Sequence, residues 1–307
     1  MYFVLSSSDE LLFMNPREGK FISCSYELED LPDFKAMTVT SDNNIYMLGN
    51  EESEDENQLS LFKYSHVENV WEHAGTSAIS KEPGDDFSPF KNRLLEVDQS
   101  LYFIAVDQRK EIARLRKYNE HNDQWQECSQ LKYDNPKCGG ATSVLSSGSH
   151  IYFLTSSEMS CYEPSEDCWC ECAPPLFISS VYTAVAMGTE IFCIDLDFSR
   201  TMVYDTQADS WQRLQGLPPS PHITGFTSLS PKMFVLENQL HMLVAVTSNS
   251  EKEVKGIPLA YVYVYDRSAD AWRDLKVTLP NKSYNVYNVY GSHCPVARIH
   301  LQYLKGA

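Results

Sequence analysis

Tyr204-Asp205-Thr206-Gln207-Ala208-Asp209-Ser210-Trp211 decides how this chain is built, because its outline recurs. A tyrosine followed seven positions later by a tryptophan stands at Tyr64/Trp71, Tyr118/Trp125, Tyr162/Trp169, Tyr204/Trp211 and Tyr265/Trp272, and these pairs use all five tryptophans. A short β-type run precedes each pair: Ile45 to Leu48, Leu101 to Ile104, Ile151 to Leu154, Ile191 to Ile194 and Leu240 to Leu243. Successive tryptophans lie 54, 44, 42 and 61 residues apart. A fixed inner spacing within a variable outer one marks repeated supersecondary units joined by loops of free length.

A worn sixth copy opens the chain, with Tyr2-Phe3-Val4-Leu5 as its β run and Met14 and Phe21 at the tyrosine and tryptophan positions. It lacks the extra β segment that precedes the run in the other copies, while an unassigned β-like stretch, 297–304, ends the chain. These features predict an all-β, six-bladed β-propeller of four-stranded antiparallel blades. Its ring is closed by the C-terminal strand joining the N-terminal blade, which removes an open sheet edge. The repeats run end to end, so residues 1–307 read as a single domain.

The pattern of aromatic-aliphatic strand followed by Tyr-Asp/Asn, five residues and Trp resembles the Kelch-repeat family across essentially the whole chain. Where that family carries a Gly-Gly doublet, this sequence reads Gly49-Asn50, Ala105-Val106, Thr155-Ser156, Asp195-Leu196 and Val244-Ala245, a divergent version. The chain is most similar to the propellers of the Kelch repeat and BTB domain-containing adaptors. That resemblance implies the substrate-recognition module of a cullin-3 ubiquitin ligase, holding a client protein or its degron peptide. The BTB and BACK domains that dimerise such proteins and recruit cullin-3 have no counterpart in this sequence. It therefore reads as a monomeric piece of a longer, dimeric protein. The alternative is a scaffold or cytoskeletal Kelch module without a ubiquitin role.

Composition narrows the partners. A net charge of −17 repels phosphate backbones and anionic headgroups, which argues against nucleic acid and membrane surfaces. No apolar run reaches the length of a membrane helix, and the N-terminus lacks the basic start of a signal peptide. Nine scattered cysteines, an odd number, fit free thiols in a reducing compartment, hence a cytoplasmic or nuclear location. The acidic run 51–56 reads as a solvated loop.

Label the strands of a blade a to d from the axis outward. A meander puts the a–b and c–d turns on one face and the b–c and d–a connections on the other. All length variation falls in the second set, and loops on a rigid scaffold are where recognition is built. Aromatic and arginine residues dominate interface energies. On that basis the expected partner-binding residues are Arg109, Lys110, Phe177, Phe198, Arg200, Phe226, Tyr284 and Tyr287. The repeated tyrosines and tryptophans are expected to fill the wedges between blades instead.

Enzymatic motifs are missing from the sequence: no nucleophile elbow, P-loop, paired zinc histidines or dinucleotide fingerprint. The sialidase box lacks its glycine before Trp211 and Trp272, and the eight histidines follow no pattern that would gather a copper site. Cys168, Cys170 and Cys172, with Cys161 nearby, would stand about 6.5–7 Å apart along a strand, too far to share one ion at about 2.3 Å. No cofactor, metal site or catalytic residue is expected.

Overall fold

The computed structural model describes residues 2–7, 10–15, 20–25, 33–50, 58–65, 67–68, 70–80, 92–107, 110–134, 142–175, 181–195, 200–215, 227–248, 260–275 and 296–297. Every regular element among them is a β-strand, and the strands form four-stranded antiparallel meanders, two of them with one short added strand. Blade 3 shows the pattern. Its strands a to d are Ser143–Ser147, His150–Leu154, Met159–Glu163 and Cys168–Cys172, each hydrogen-bonded to the next. Blades 1, 2, 4 and 5 repeat it from inner strands Asp33–Val39, Asn92–Val97, Val181–Met187 and Thr227–Leu236.

The a–b hairpins explain themselves locally. Val97 pairs with Ser100 and Leu236 with Gln239, leaving two-residue loops. Asp98 and Gln99, and likewise Glu237 and Asn238, have positive φ at both loop positions. That matches the mirror-image turn whose twist suits a right-twisted ribbon.

The expectation of six blades is corrected to five. The inner strands of blades 1 to 5 abut in chain order, and each successive pair of blades encloses its own buried apolar cluster. Strands Tyr2–Ser7, Glu10–Asn15 and Lys20–Ser25 form a further sheet, and Met14 does face Phe21 in register. Its innermost strand, however, is only Val296–Ala297, paired with Phe3 and Tyr2. The expected closing strand 297–304 otherwise lies outside the described residues. The complete blades have inner strands of five to ten residues. Among the described residues, the buried inter-blade clusters lie between blades 1 to 5. The sequence also shows why this copy differs: methionine replaces the tyrosine, and Gly19 stands where the other copies have a carboxylate or amide.

That carboxylate is the main structural finding. Tyr118, Tyr162, Tyr204 and Tyr265 each donate a hydroxyl hydrogen bond to an aspartate five residues on: Asp123, Asp167, Asp209 and Asp270, at 2.7, 2.7, 2.7 and 2.5 Å. All four aspartates have φ between 45° and 50°, the left-handed region that Asp tolerates better than most residues. Each carboxylate also accepts a backbone N–H from the end of the preceding blade: Thr76, Ser129, Ala173 and Gln215. In two cases the tryptophan completes the grip, Trp169 Nε1 donating to the Ser129 carbonyl at 2.9 Å and Trp211 Nε1 to that of Ala173 at 2.7 Å. Tyrosine and tryptophan also stand directly opposite in register, with ring centroids 5.1–5.3 Å apart. So the repeated motif packs its rings into the wedge and bolts one blade to the next. Gly75 fits under the first bolt, since a Cβ there would lie 2.2 Å from Asp123 Oδ1 and 2.3 Å from the Tyr118 hydroxyl.

The bolts set an acid limit. Hydrogen bonds from Thr76 and then Tyr118 hold Asp123 down to about 2. Tyr204 and Ala173 lower Asp209, and Ser129 and Tyr162 lower Asp167. A folded-state value below the unfolded one means the unfolded chain takes up protons first. The contribution is therefore complete above the ordinary carboxylate range near about 4 and is lost as pH falls towards about 2. The thermal midpoint, followed by circular dichroism, is expected to fall across that window. A variant with Asp123, Asp167 and Asp209 all changed to Asn should fall less. An identical fall in both proteins would place the acid sensitivity elsewhere.

Candidate functional site

Among the described residues, b–c and d–a connections of blades 2 and 3 frame a groove of about 660 Å³. One wall is Lys110 and Glu111 from the b–c turn of blade 2, followed by 131–134 from the d–a connection. The other is Ser157 to Ser160 from blade 3 and its outer strand from Trp169 to Cys172, with Pro174. Its floor is apolar: Leu131, Tyr133 and Met159 are buried, and Trp169 is half-buried.

The rim is braced by the chain itself. The buried Asp107 at the end of strand b accepts the Lys110 backbone N–H at 3.1 Å and pairs with Lys110 Nζ at 3.7 Å. Tyr133 N–H donates to the Glu111 carbonyl at 3.0 Å, tying the two segments of the first wall together. Across the groove, Thr155 Oγ1 accepts from Ser157 and Glu158 N–H at 3.2 and 2.9 Å, and Glu158 in turn accepts from Asp134 N–H at 3.2 Å. Leu131–Lys132 is expected from sequence to be loop, yet it forms a two-residue strand against Ile112 and Ala113. The third strand of blade 2 outruns its own outer strand, and this segment satisfies the hydrogen bonds left open there.

Chemically the groove is an apolar trough with an uneven charged edge. Lys110 and Lys132 stand against Glu111, Asp134, Glu158 and Glu171. The buried Tyr133 hydroxyl has no hydrogen-bond partner among the described residues. Burial, and then the nearby Asp107, push it up to about 12, so it stays a neutral donor. Among the described residues, no group of three His, Cys, Asp or Glu side chains converges in a way that could hold a metal ion.

Of the eight residues expected to bind a partner, Lys110 lines this groove. Arg200 does not: it is the first residue of the third strand of blade 4, paired with Gln215, and its N–H is held by Asp195 at 3.1 Å. The expectation of a loop arginine is corrected there, because the buried Asp195 ends strand b and captures the returning chain as Asp107 does in blade 2. Arg109, Phe177, Phe198, Phe226, Tyr284 and Tyr287 lie outside the described residues. Sequence reasoning missed Tyr133, Glu158 and Glu171. Only their position in or beside a b–c or d–a connection could have drawn attention to them.

Comparison with known proteins agrees with this architecture. No protein-family model matches the chain. It is 22% identical over 276 residues to the human Kelch repeat and BTB domain-containing protein 6, a match covering 88% of this chain and 37% of that protein. It is 19% identical over 156 residues to the mouse Kelch-like protein 35, covering 48% of this chain and 26% of the relative. The match thus spans about a third of the length of these curated relatives. A crystal structure of a protein from Lactobacillus plantarum superposes with a TM-score of 0.52 at 11% identity, over 91% of this chain and 96% of that one. The chain is a β-propeller with distant sequence similarity to Kelch-repeat proteins.

Proposed function

We propose that this Kelch-like propeller is a non-catalytic receptor whose groove between blades 2 and 3 receives an extended segment of a client protein. The observation that carries the reading is the groove itself: an apolar floor holding a tyrosine hydroxyl with no partner among the described residues, framed by braced connections from two adjacent blades. Four carboxylates against two lysines at the rim favour a client segment that is basic around one or two apolar anchors. Resemblance to the BTB-containing adaptors supports a finer reading, in which the whole protein presents that client to cullin-3 from a cytoplasmic or nuclear location.

Affinity capture from cell lysate tests the receptor. The parent is compared with a Glu111→Lys/Glu171→Lys double variant and with a Glu120→Lys control in the opposite c–d turn. A partner recovered equally by parent and control, but at least tenfold less by the double variant, is the expected result. Equal recovery by all three removes the groove from the proposal. Ubiquitin transfer to that partner by the full-length protein with cullin-3 tests the adaptor role, and transfer that does not require the propeller overturns it.

A further inference from the structure

Four cysteines share one face of blade 3, and two of them, Cys170 and Cys172, belong to the wall of the groove. Cys168, Cys170 and Cys172 alternate along the outer strand, and Cys161 lies on the strand beside it, directly opposite Cys170. Directly opposed residues in an antiparallel pair have Cα atoms about 4.5–5.5 Å apart, inside the roughly 4.4–6.8 Å span that a disulfide bridges. Residues two apart on one strand stand about 6.5–7 Å apart, so the opposed pair is the best placed of the set. Cys170 is exposed and Cys161 half-buried, and all four are free thiols.

We propose that Cys161 and Cys170 form a reversible cross-strand disulfide when the protein meets a hydroperoxide. The exposed Cys170 sulfur attacks the terminal peroxide oxygen. The O–O bond breaks, an alcohol (water, from hydrogen peroxide) leaves, and Cys170 becomes a sulfenic acid. Cys161 then attacks the Cys170 sulfur and the S–O bond breaks. The departing hydroxide leaves as water with the proton that Cys161 gives up. Two thiols supply two electrons, and the peroxide takes both. Cys161 and Cys172 also pack against the buried cluster between blades 3 and 4 that holds Tyr204. Tyr204 is itself a bolt residue, which links the cysteine face to the joint between blades 3 and 4.

The sequence makes the test decisive. Cleavage after glutamate, which spares the Glu163–Pro164 bond, places Cys161 in 159–166, Cys168 and Cys170 in 167–171, and Cys172 in a third peptide. The parent is treated with hydrogen peroxide, its remaining thiols are alkylated, and the digest is mapped by mass spectrometry. The expected product is 159–166 joined to 167–171, abolished by a reductant, retained in Cys168→Ser and lost in Cys170→Ser. Cys161→Ser should leave a Cys170 sulfenic acid that dimedone traps, several-fold above the parent. Three outcomes overturn the proposal: no such linked peptide from the folded parent, a link that survives Cys170→Ser, or Cys161 joined to Cys172 instead. Since the parent's own map is read directly, a variant that folds poorly does not protect the idea.

Discussion

Phe153→Ala is expected to lower the unfolding free energy by about 3–5 kcal/mol, the usual range for removing a fully enclosed aromatic ring. Phe153 is 1% exposed at the middle of the second strand of blade 3, opposite Val144 on one side and Ser160 on the other. Its ring centroid lies 4.9 Å from that of Tyr133, so it supports the groove floor as well as the wedge between blades 2 and 3. Residues on either side of it in that wedge are locked into strand pairing, and the void left by truncation cannot collapse freely. Denaturant unfolding of the parent, Phe153→Leu and Phe153→Ala measures the effect. The leucine variant should retain more than half of the lost stability. A cost below about 1 kcal/mol for Phe153→Ala would mean that blades 2 and 3 are not packed as described.

The repeat was legible because it is made of large, rare residues at fixed spacing, and the tryptophans mark the outer strand of every complete blade. The a–b turns and the order of strands followed from the same pattern. The blade count did not. Matching Met14 and Phe21 to the tyrosine and tryptophan captured a true register pair, but register in two strands says nothing of how long the innermost strand will be. The aspartates of the bolts were invisible for another reason. An aspartate two residues before a tryptophan looks like ordinary turn chemistry, and its second partner is a backbone N–H of the preceding blade some 36–55 residues away. The groove was legible as a face but not as a site. Its floor comes from Leu131 and Tyr133, which read as loop residues and are placed by a two-residue strand that no periodicity reveals. Arginine and phenylalanine attracted attention in the sequence because such side chains dominate known interfaces, whereas the rim here is built mainly of carboxylates.

Asp209→Ala should be the most informative change outside the apolar wedges, because it separates three contributions at one position. Alanine at φ 46° suffers the left-handed penalty of about 1–2 kcal/mol. It also leaves the buried Tyr204 hydroxyl without its acceptor, a loss of about 1–3 kcal/mol. Ala173 N–H, at the end of blade 3, loses its partner as well. Together these predict a destabilisation of about 2–4 kcal/mol by chemical unfolding. Asp209→Gly relieves the strain but not the lost bonds, and Asp209→Asn tolerates the backbone angle and keeps an acceptor while giving up the charge. The expected order of stability is therefore Asn above Gly above Ala, and equal costs for Gly and Ala would show that the left-handed backbone does not matter. Tyr204→Phe removes the donor instead. If the bolt acts as one unit, the Tyr204→Phe/Asp209→Ala double variant should be clearly more stable than the sum of the two single losses predicts, by about 0.5–3 kcal/mol. Strict additivity would mean that tyrosine and aspartate stabilise the joint separately, and that the repeated spacing reflects ring packing alone.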